Sequence, residues 1–278
     1  MLTDYHTHLR PDVGDTPPER YFTEANVHGY LEVAAGRGVT ELGFSEHVYR
    51  FREALEVWRH PFWEENAQDG LEEYVTFVES MKANDLPVKL GIEMDWIPGR
   101  EDSIAALLEA WPWDYVVGSV HFLADGAVDH DAYDAWDSAD PDRVWSTYFD
   151  MLGDAAASGL FDILAHPDLV KVWGRGRPAP PRPRREYYDR AIERIARADV
   201  AIEVSTAGLR KPVGEIYPAR DLLEMFVSAG KPIALSSDAH EPENIGHRYD
   251  AAVALLQDVG VDRVCVFDRR VRSEEPLG

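Results

Sequence analysis

The chain has one cysteine, Cys265, so no disulfide can form within it. RVCVF around that residue reads as a strand with a buried thiol, and a cytoplasmic setting is the expectation that follows. No run of about 18 apolar residues is present, so a membrane span is not expected. The first residues also lack the charged-then-apolar pattern of a secretory leader. Positive charge is scarce: 28 Lys and Arg face 51 Asp and Glu, a net charge of −23. That balance argues against a general nucleic-acid binder, which needs basic surface to displace counterions. A small anionic substrate remains open, because bound cations can reverse the local sign. There is no internal repeat and no low-complexity tract beyond the proline-rich stretch KVWGRGRPAPPRPRR at 171–185.

What is present is enough for a sizeable core: 45% of residues are hydrophobic and 28% charged. A single domain over 1–278 is the expectation, since one barrel commonly runs this long. Eight short apolar runs read as strands, at 2–6, 40–45, 88–93, 115–120, 161–165, 200–205, 232–237 and 263–267. Amphipathic spacing predicts helices between them, at 26–36, 70–84, 103–110, 141–157, 184–198, 219–229 and 249–259. Residues 48–69 and 122–140 read as long loops rich in Trp and Asp, inserted over one end. This alternation implies parallel strands with crossover helices.

The stretch DYHTH places His6 and His8 two residues apart at the end of the first strand. Residues i and i+2 of a strand share a face, so two imidazoles stand side by side there. The same end of the other strands is polar too. Glu46 and His47 follow the second, Glu93 and Asp95 the third, and His121 the fourth. His166 and Asp168 follow the fifth, Ser205 and Thr206 the sixth, and Asp238 and His240 the seventh. Polar groups at successive carboxyl ends converge at one mouth in a barrel, whereas an open sheet would spread them along an edge. The converging set is His6, His8, His47, Glu93, His121, His166, Asp238 and His240. It exceeds the four to six ligands of one ion. With Glu93 as a bridge it suits two ions about 3.5–4 Å apart, the spacing of two-metal hydrolases. A mixed nitrogen and oxygen set favours Zn, Mn or Fe(II) over Mg or Ca.

The motifs DYHTH, SEH, GIEMDWIPG, DYVVGSVHF, FDILAHPDL, EVSTAGLRKPVGEIYP and SSDAH resemble those of the PHP superfamily, and most of all its histidinol-phosphatase branch. GIEMDWIPG and STAGLRKPVGEIYP narrow the resemblance to that branch. It implies an α/β fold, a distorted seven-stranded TIM-like β/α barrel of PHP type, so one of the eight strands would be peripheral. It also implies three metal ions. His6, His8, Glu93 and Asp238 would hold the first. Glu93, His121 and His166 would hold the second, and His47 and His240 the third. Many relatives carry another histidine shortly after the HxH pair. Here LRPDVGD has none, and Asp12, rather than Asp15, is the expected oxygen ligand in its place. The implied reaction is hydrolysis of L-histidinol phosphate to L-histidinol and phosphate, a step of histidine biosynthesis. A hydroxide bridging two cations would attack phosphorus in line, with no phosphoenzyme. Glu93, Asp238, His240 and Asp12 are the expected catalytic group, and Asp12 or a metal-bound water would protonate the leaving oxygen.

Several residues have two readings. Arg210 and Lys211 in GLRKP, and Lys171 in the basic loop, are candidate phosphate contacts, or else solvated surface charges. The basic loop itself reads as a lid that steers anions or as a plain surface loop. Glu46 is a candidate to orient His47, and Asp95 and Asp168 to support metal ligands. Trp96 and Tyr217 either shape the pocket or pack in the core. His28, His60, His130 and His247 fit no ligand position. The competing functions are a phosphoesterase or nuclease acting on nucleotides or short oligonucleotides, and a metal-binding module without catalysis. The expected partner is a small phosphate ester, with no nucleic acid and no membrane; nothing fixes an oligomeric state.

Overall fold

The computed structural model describes residues 1–12, 17–137 and 140–278. Asp15 therefore lies outside the described residues. Seven strands form one parallel sheet: β1 (Thr3–Thr7), β2 (Glu41–His47), β3 (Val88–Asp95), β4 (Tyr115–Ser119), β7 (Ile163–Leu164), β8 (Ala201–Ser205) and β9 (Ile233–Ser236). Each pairs with the next in that order. The sheet curls until its ends nearly meet. Thr7 bridges Ala239 in parallel, the His8 amide donates to the Ala239 carbonyl at 2.8 Å, and the Ala239 amide donates to the His6 carbonyl at 3.2 Å. The result is a seven-stranded, nearly closed barrel.

Helices α2 (Glu24–Gly36), α4 (Leu71–Ala83), α5 (Glu101–Glu109), α6 (Pro141–Ala157), α7 (Arg184–Arg197), α8 (Arg220–Ser228) and α9 (Tyr249–Asp258) surround it. They begin where the sequence supplies start signals. Thr23 caps α2 by accepting from the Asn26 amide at 3.2 Å, and Asp140, followed by Pro141, caps α6 from Arg143 N at 3.0 Å. Each lays an apolar stripe on the barrel; α6 buries Val144, Trp145, Tyr148, Phe149 and Leu152. Burial of such side chains contributes about 1.5–3 kcal/mol apiece.

One of the eight foreseen strands is peripheral, as the resemblance implied, and the two foreseen loops need correction. The strand foreseen at 263–267 is real, as β10 (Arg263–Asp268), but it lies outside the barrel. It pairs antiparallel with β11 (Val271–Pro276). This hairpin covers the amino-terminal ends of the barrel strands, where Arg270 N donates to Asp114 O at 2.8 Å, just before β4. There Cys265 and Phe267 pack with Tyr5, Tyr115, Ile163, Ala201 and Ala234. The loop foreseen at 48–69 contains 3-10 turns at Val48–Arg50 and Arg52–Glu56 and a short helix, α3 (Pro61–Asn66). The loop at 122–140 contains a small hairpin, β5 (Phe122–Leu123) and β6 (Gly126–Ala127). A further short helix, α1 (Pro18–Tyr21), follows β1. Among the described residues no helix is long and apolar enough to cross a membrane.

Inside the barrel, glycine makes room for a large ring. A Cβ at Gly43 or Gly91 would lie 2.3 Å from the Tyr115 side chain. The two glycines on β2 and β3 are therefore what lets Tyr115 fill the lower barrel. The register of β1 against β2 shifts between Asp4 and Thr7. Simple alternation would send Tyr5 and His6 to opposite faces. The irregularity lets both serve the interior. Tyr5 stacks near Tyr115, with ring centroids 5.0 Å apart, while His6 reaches Glu93 higher up.

Candidate active site

The upper end of the barrel gathers every histidine and carboxylate of the foreseen set. Glu93, on β3, is the hub. Its Oε2 lies 3.2 Å from His6 Nε2 and 3.7 Å from His8 Nε2, and it also meets His47 Nδ1. Its Oε1 lies 3.5 Å from His121 Nε2 and 3.3 Å from His166 Nε2. Asp238 Oδ1 stands 3.5 Å from His8 Nε2, 3.8 Å from His6 Nε2 and 3.7 Å from His240 Nδ1. Asp12 joins at the edge, its Oδ1 3.2 Å from His240 Nε2.

Four triads of ligand atoms each fall within 4.8 Å: His8, His47 and His240; His6, His8 and Asp238; His6, Glu93 and His166; and His47, Glu93 and His121. They share members, so His47 belongs with Glu93 and His121 as much as with His240. This overlap is wider than the foreseen sets, in which Glu93 alone was shared. The rings also lie against each other, with centroids 4.2 Å apart for His8 and His47 and 4.1 Å for His8 and His240.

The donor set fits divalent cations. His6 Nε2, both ring nitrogens of His8, Glu93 Oε2 and Asp238 Oδ1 are buried without a hydrogen-bond partner among the described residues. Five such orphans in one cluster are costly unless a cation satisfies them. Electrostatics agree. Burial opposes ionisation of Glu93, but His47, His6, His121 and a hydrogen bond from His166 hold its carboxyl well below the usual range. Asp238 is likewise held low against burial by His6, His8 and His240. Burial pushes His47 down to about 3 and, with His240 and His47 nearby, holds His8 well below its ordinary value. Glu93 and Asp238 thus offer ionised carboxylates, and His8 and His47 neutral lone pairs, the forms that bind metals. Burial lowers His6 as well, but Glu93, Glu203 and Asp238 outweigh it and hold His6 well above its ordinary value, so that a cation there displaces a proton.

Two imidazoles are oriented from behind. His121 Nδ1 faces Asp95 Oδ1 at 2.7 Å, and His6 Nδ1 faces Glu203 Oε1 at 2.7 Å. Each carboxylate fixes the tautomer that leaves Nε2 free for a ligand. Burial lowers His121, but Asp95, Glu93 and Asp129 outweigh it and push it up to about 10. In the bare chain a proton therefore sits where a cation would. Glu203 is fully buried, and it also accepts from Ser236 Oγ at 2.7 Å and the His166 amide at 2.5 Å. Sequence reasoning passed over it. The signal was an acid inside the apolar strand VAIEVS, at an interior-facing position.

Other foreseen roles change. Glu46 does not touch His47. It accepts from the amides of Leu9 and Arg10 and pairs with Arg50 at 2.7 Å, which fixes the turn after β1. Asp168 binds Lys171 at 2.9 Å and the Ala219 amide at 2.8 Å, away from the ligands. Lys171 is buried and its ammonium also meets Glu215 at 3.1 Å and the Ile216 carbonyl at 2.9 Å, so it has no donor to offer a substrate. Arg210 places Nη2 2.8 Å from both the Ser237 and Asp238 carbonyls rather than into the cleft. The basic loop is largely neutralised: Arg177 pairs with Asp131 and Asp134, Arg182 with Asp142, and Arg185 with Asp189. Asp12 is drawn below its ordinary value: burial acts upward, but His240, Arg50 and His47 outweigh it. It arrives ionised, suited to accept rather than to donate a proton. Trp96 is core, against Phe161, whereas Tyr217 lines the cleft.

Above the cluster opens a cleft of about 640 Å³. Its walls include Phe62 of α3, Phe122 of the small hairpin and Trp173 of the basic loop, with Lys211 and Asp129 among its charged residues. The two insertions pack on each other, with Phe62 and His130 centroids 4.9 Å apart and Trp58 and Phe122 5.2 Å. The volume suits a small molecule.

Comparison with known proteins agrees with this geometry. The PHP domain family model matches residues 21–207. A protein of Deinococcus radiodurans named as a probable histidinol-phosphatase is 34% identical over 247 residues, 87% of this chain and 91% of that one. A Schizosaccharomyces pombe protein with the same name is 24% identical over 267 residues, 88% of this chain and 85% of that one. Among solved structures, histidinol phosphate phosphatase from Lactococcus lactis, complexed with zinc, L-histidinol and phosphate, superimposes with a TM-score of 0.77 at 21% identity. It covers 98% of both chains, which shows the shared barrel fold.

Proposed function

The chain belongs to the PHP domain family, and from that premise we propose that it is a metal-dependent phosphomonoesterase hydrolysing L-histidinol phosphate to L-histidinol and phosphate. The observation that carries this reading is the hub at Glu93, ringed by imidazoles with their ligand atoms unsatisfied beneath an open cleft. The substrate name comes from the relative that is 34% identical over most of the chain. The whole of 1–278 works as one catalytic unit.

His6, His8, Glu93 and Asp238 would hold a first ion, Glu93, His121 and His166 a second, and His47 and His240, with Asp12, a third. Zn, Mn or Fe suits these donors. Such ions supply a nucleophilic hydroxide at neutral pH and neutralise charge on the phosphoryl oxygens. The protein's own part is arrangement. Glu203 and Asp95 aim His6 and His121. Lys211, at the cleft wall, meets the phosphate. His240, whose Nε2 lies 3.2 Å from Asp12 and whose side chain is 17% exposed, stands with Asp12 at the mouth of the cleft, where the pair would hold the outermost ion. The aromatic walls exclude water and receive the organic part of the ester.

The test is phosphate release by protein loaded with Zn or Mn. L-histidinol phosphate is compared with a nucleoside monophosphate and p-nitrophenyl phosphate. Strong preference for the first supports the proposal. Preference for the nucleotide, or equal slow rates on all three, removes the assigned substrate.

A further inference from the structure

The second residue after the last barrel strand bears an unusual load. Asp238 has φ of 49°, in the left-handed region that a residue with a Cβ seldom adopts. It also follows β9, at the seam where the sheet closes on itself. Elsewhere a ladder of paired residues fixes each strand; β8 and β9 share four paired positions. Across the seam the bridge is a single one, Thr7 to Ala239. Yet the Asp238 carboxylate must cross that seam to stand beside His6 of β1 and His8 just after it.

Two opposite charges grip the segment from two sides. Arg210, in the 3-10 turn Thr206–Arg210 after β8, donates from Nη2 to the carbonyls of Ser237 and Asp238, both at 2.8 Å. Asp4, on β1 and fully buried, accepts from the Ser237 amide at 2.9 Å and from the Ser237 hydroxyl. Asp4 also accepts from the Gly246 amide at 3.1 Å, which ties the cradle to the loop before α9. Neither residue touches the ligand atoms themselves. A strained backbone persists only where its surroundings over-determine it.

We propose that Arg210 and Asp4 are a pair of positioning residues that hold the Ser237–Asp238 backbone across the barrel seam and so set Asp238 for metal binding, in place of the phosphate contact that an arginine at the mouth suggests. The inference rests on Asp238 being a metal ligand. A guanidinium suits the task because its donors lie in a fixed plane, where an ammonium is a point charge. Removal of a group that orients a ligand typically weakens metal binding by about 10–100-fold.

The test uses the full chain, dialysed against limiting Zn, with three readouts: bound metal per chain, KM for the phosphate ester and unfolding of the stripped protein. Arg210→Met should lose about 10–100-fold in affinity for one metal equivalent, with KM within about twofold of the parent. Arg210→Lys should fall between the two, since a charge at the right place is a partial replacement. Asp4→Asn keeps shape and should act in the same direction. The double variant Arg210→Lys with Asp4→Asn should be non-additive, because both hold the same peptide. Where Arg210→Met fails to fold, the Lys and Asn variants carry the test. Metal retained at parental affinity with KM raised about tenfold would overturn the proposal, because the Nη1 group that has no partner here would then be the phosphate contact. Full additivity would also overturn it. Parental chain that binds no metal at all would instead remove the functional reading on which this stands.

Discussion

The two ends of the barrel are built from the same strands, two residues apart. On β3, Gly91 gives way to Glu93; on β4, Val117 to Ser119; on β8, Ala201 to Glu203; on β9, Ala234 to Ser236. A step of two residues keeps the same face and climbs about 6.6 Å. Over that step the interior changes from Tyr5, Tyr115, Ile163, Ala201, Ala234, Cys265 and Phe267 to carboxylates and imidazoles. The lower end is sealed by the β10–β11 hairpin, and its charges are paired: Glu41 accepts from Tyr5, Asp114 meets Lys82 at 2.7 Å and Asp162 meets Arg270 at 2.8 Å. The upper end is open and leaves its polar atoms unsatisfied. The difference teaches where each kind of free energy resides. Packing below supplies stability, and costly polar atoms above are kept for chemistry.

If that division holds, damage to one end should leave the other nearly intact. The largest effect is expected from Glu93→Gln, which keeps shape and removes the hub charge. Phosphate release should fall to the level of the metal-stripped protein, while urea unfolding of the stripped chain shows no loss of stability. Near-normal turnover would mean the ligands centre elsewhere. At the lower end, Tyr115→Ala should destabilise by about 3–5 kcal/mol, as other aromatic truncations in cores do. Turnover per folded molecule should stay within about twofold. A loss of turnover beyond the loss of folded protein would show that the two ends are coupled. Metal sharpens the same contrast: at about a hundredfold its Kd, a cation should stabilise the parent by about 2.7 kcal/mol. Tyr115→Ala should gain the same increment, since distant sites add. Smaller again is Glu203→Gln. It should weaken metal binding by about 10–100-fold through His6, as read by equilibrium dialysis, and change the unfolding of the stripped chain little.

The upper end was the more legible of the two. Histidines and acids that follow apolar runs announce themselves, and HTH reads directly as two rings on one face. What escaped was anything set by contact between distant segments. Glu203 looked like an ordinary strand acid, and only the fold shows it behind His6 and beneath His166. The charges of Arg210 and Lys171 were legible, but not that nearby carbonyls and acids already occupy them. Glu46 was placed beside His47 in sequence and turned instead to the backbone after β1. At the lower end the strand RVCVF was clear, but its partner was not. VRSEEP is charged and mostly exposed, so it carries no alternation to read. The irregular register of β1, which puts Tyr5 and His6 to work at opposite ends, leaves no mark in composition at all.

Lys211 offers the finest test of the upper end. It is exposed, it lines the cleft, and its side chain has no hydrogen bond or ion pair among the described residues. Arg210 beside it is committed to backbone carbonyls. Of the two neighbouring cations, then, only Lys211 is at liberty to meet an arriving phosphate. An exposed charge of this kind contributes on the order of 0.2–1 kcal/mol, because water screens it and its long stem must be ordered. Lys211→Ala should therefore raise KM for the phosphate ester about 1.4- to fivefold. It should leave metal content unchanged and should lose its effect as salt rises, since screening removes what the charge supplied. The opposite pattern, with metal lost and KM insensitive to salt, would place Lys211 in the scaffold of the cluster. The comparison would then have to be redrawn with the cleft wall on the structural side.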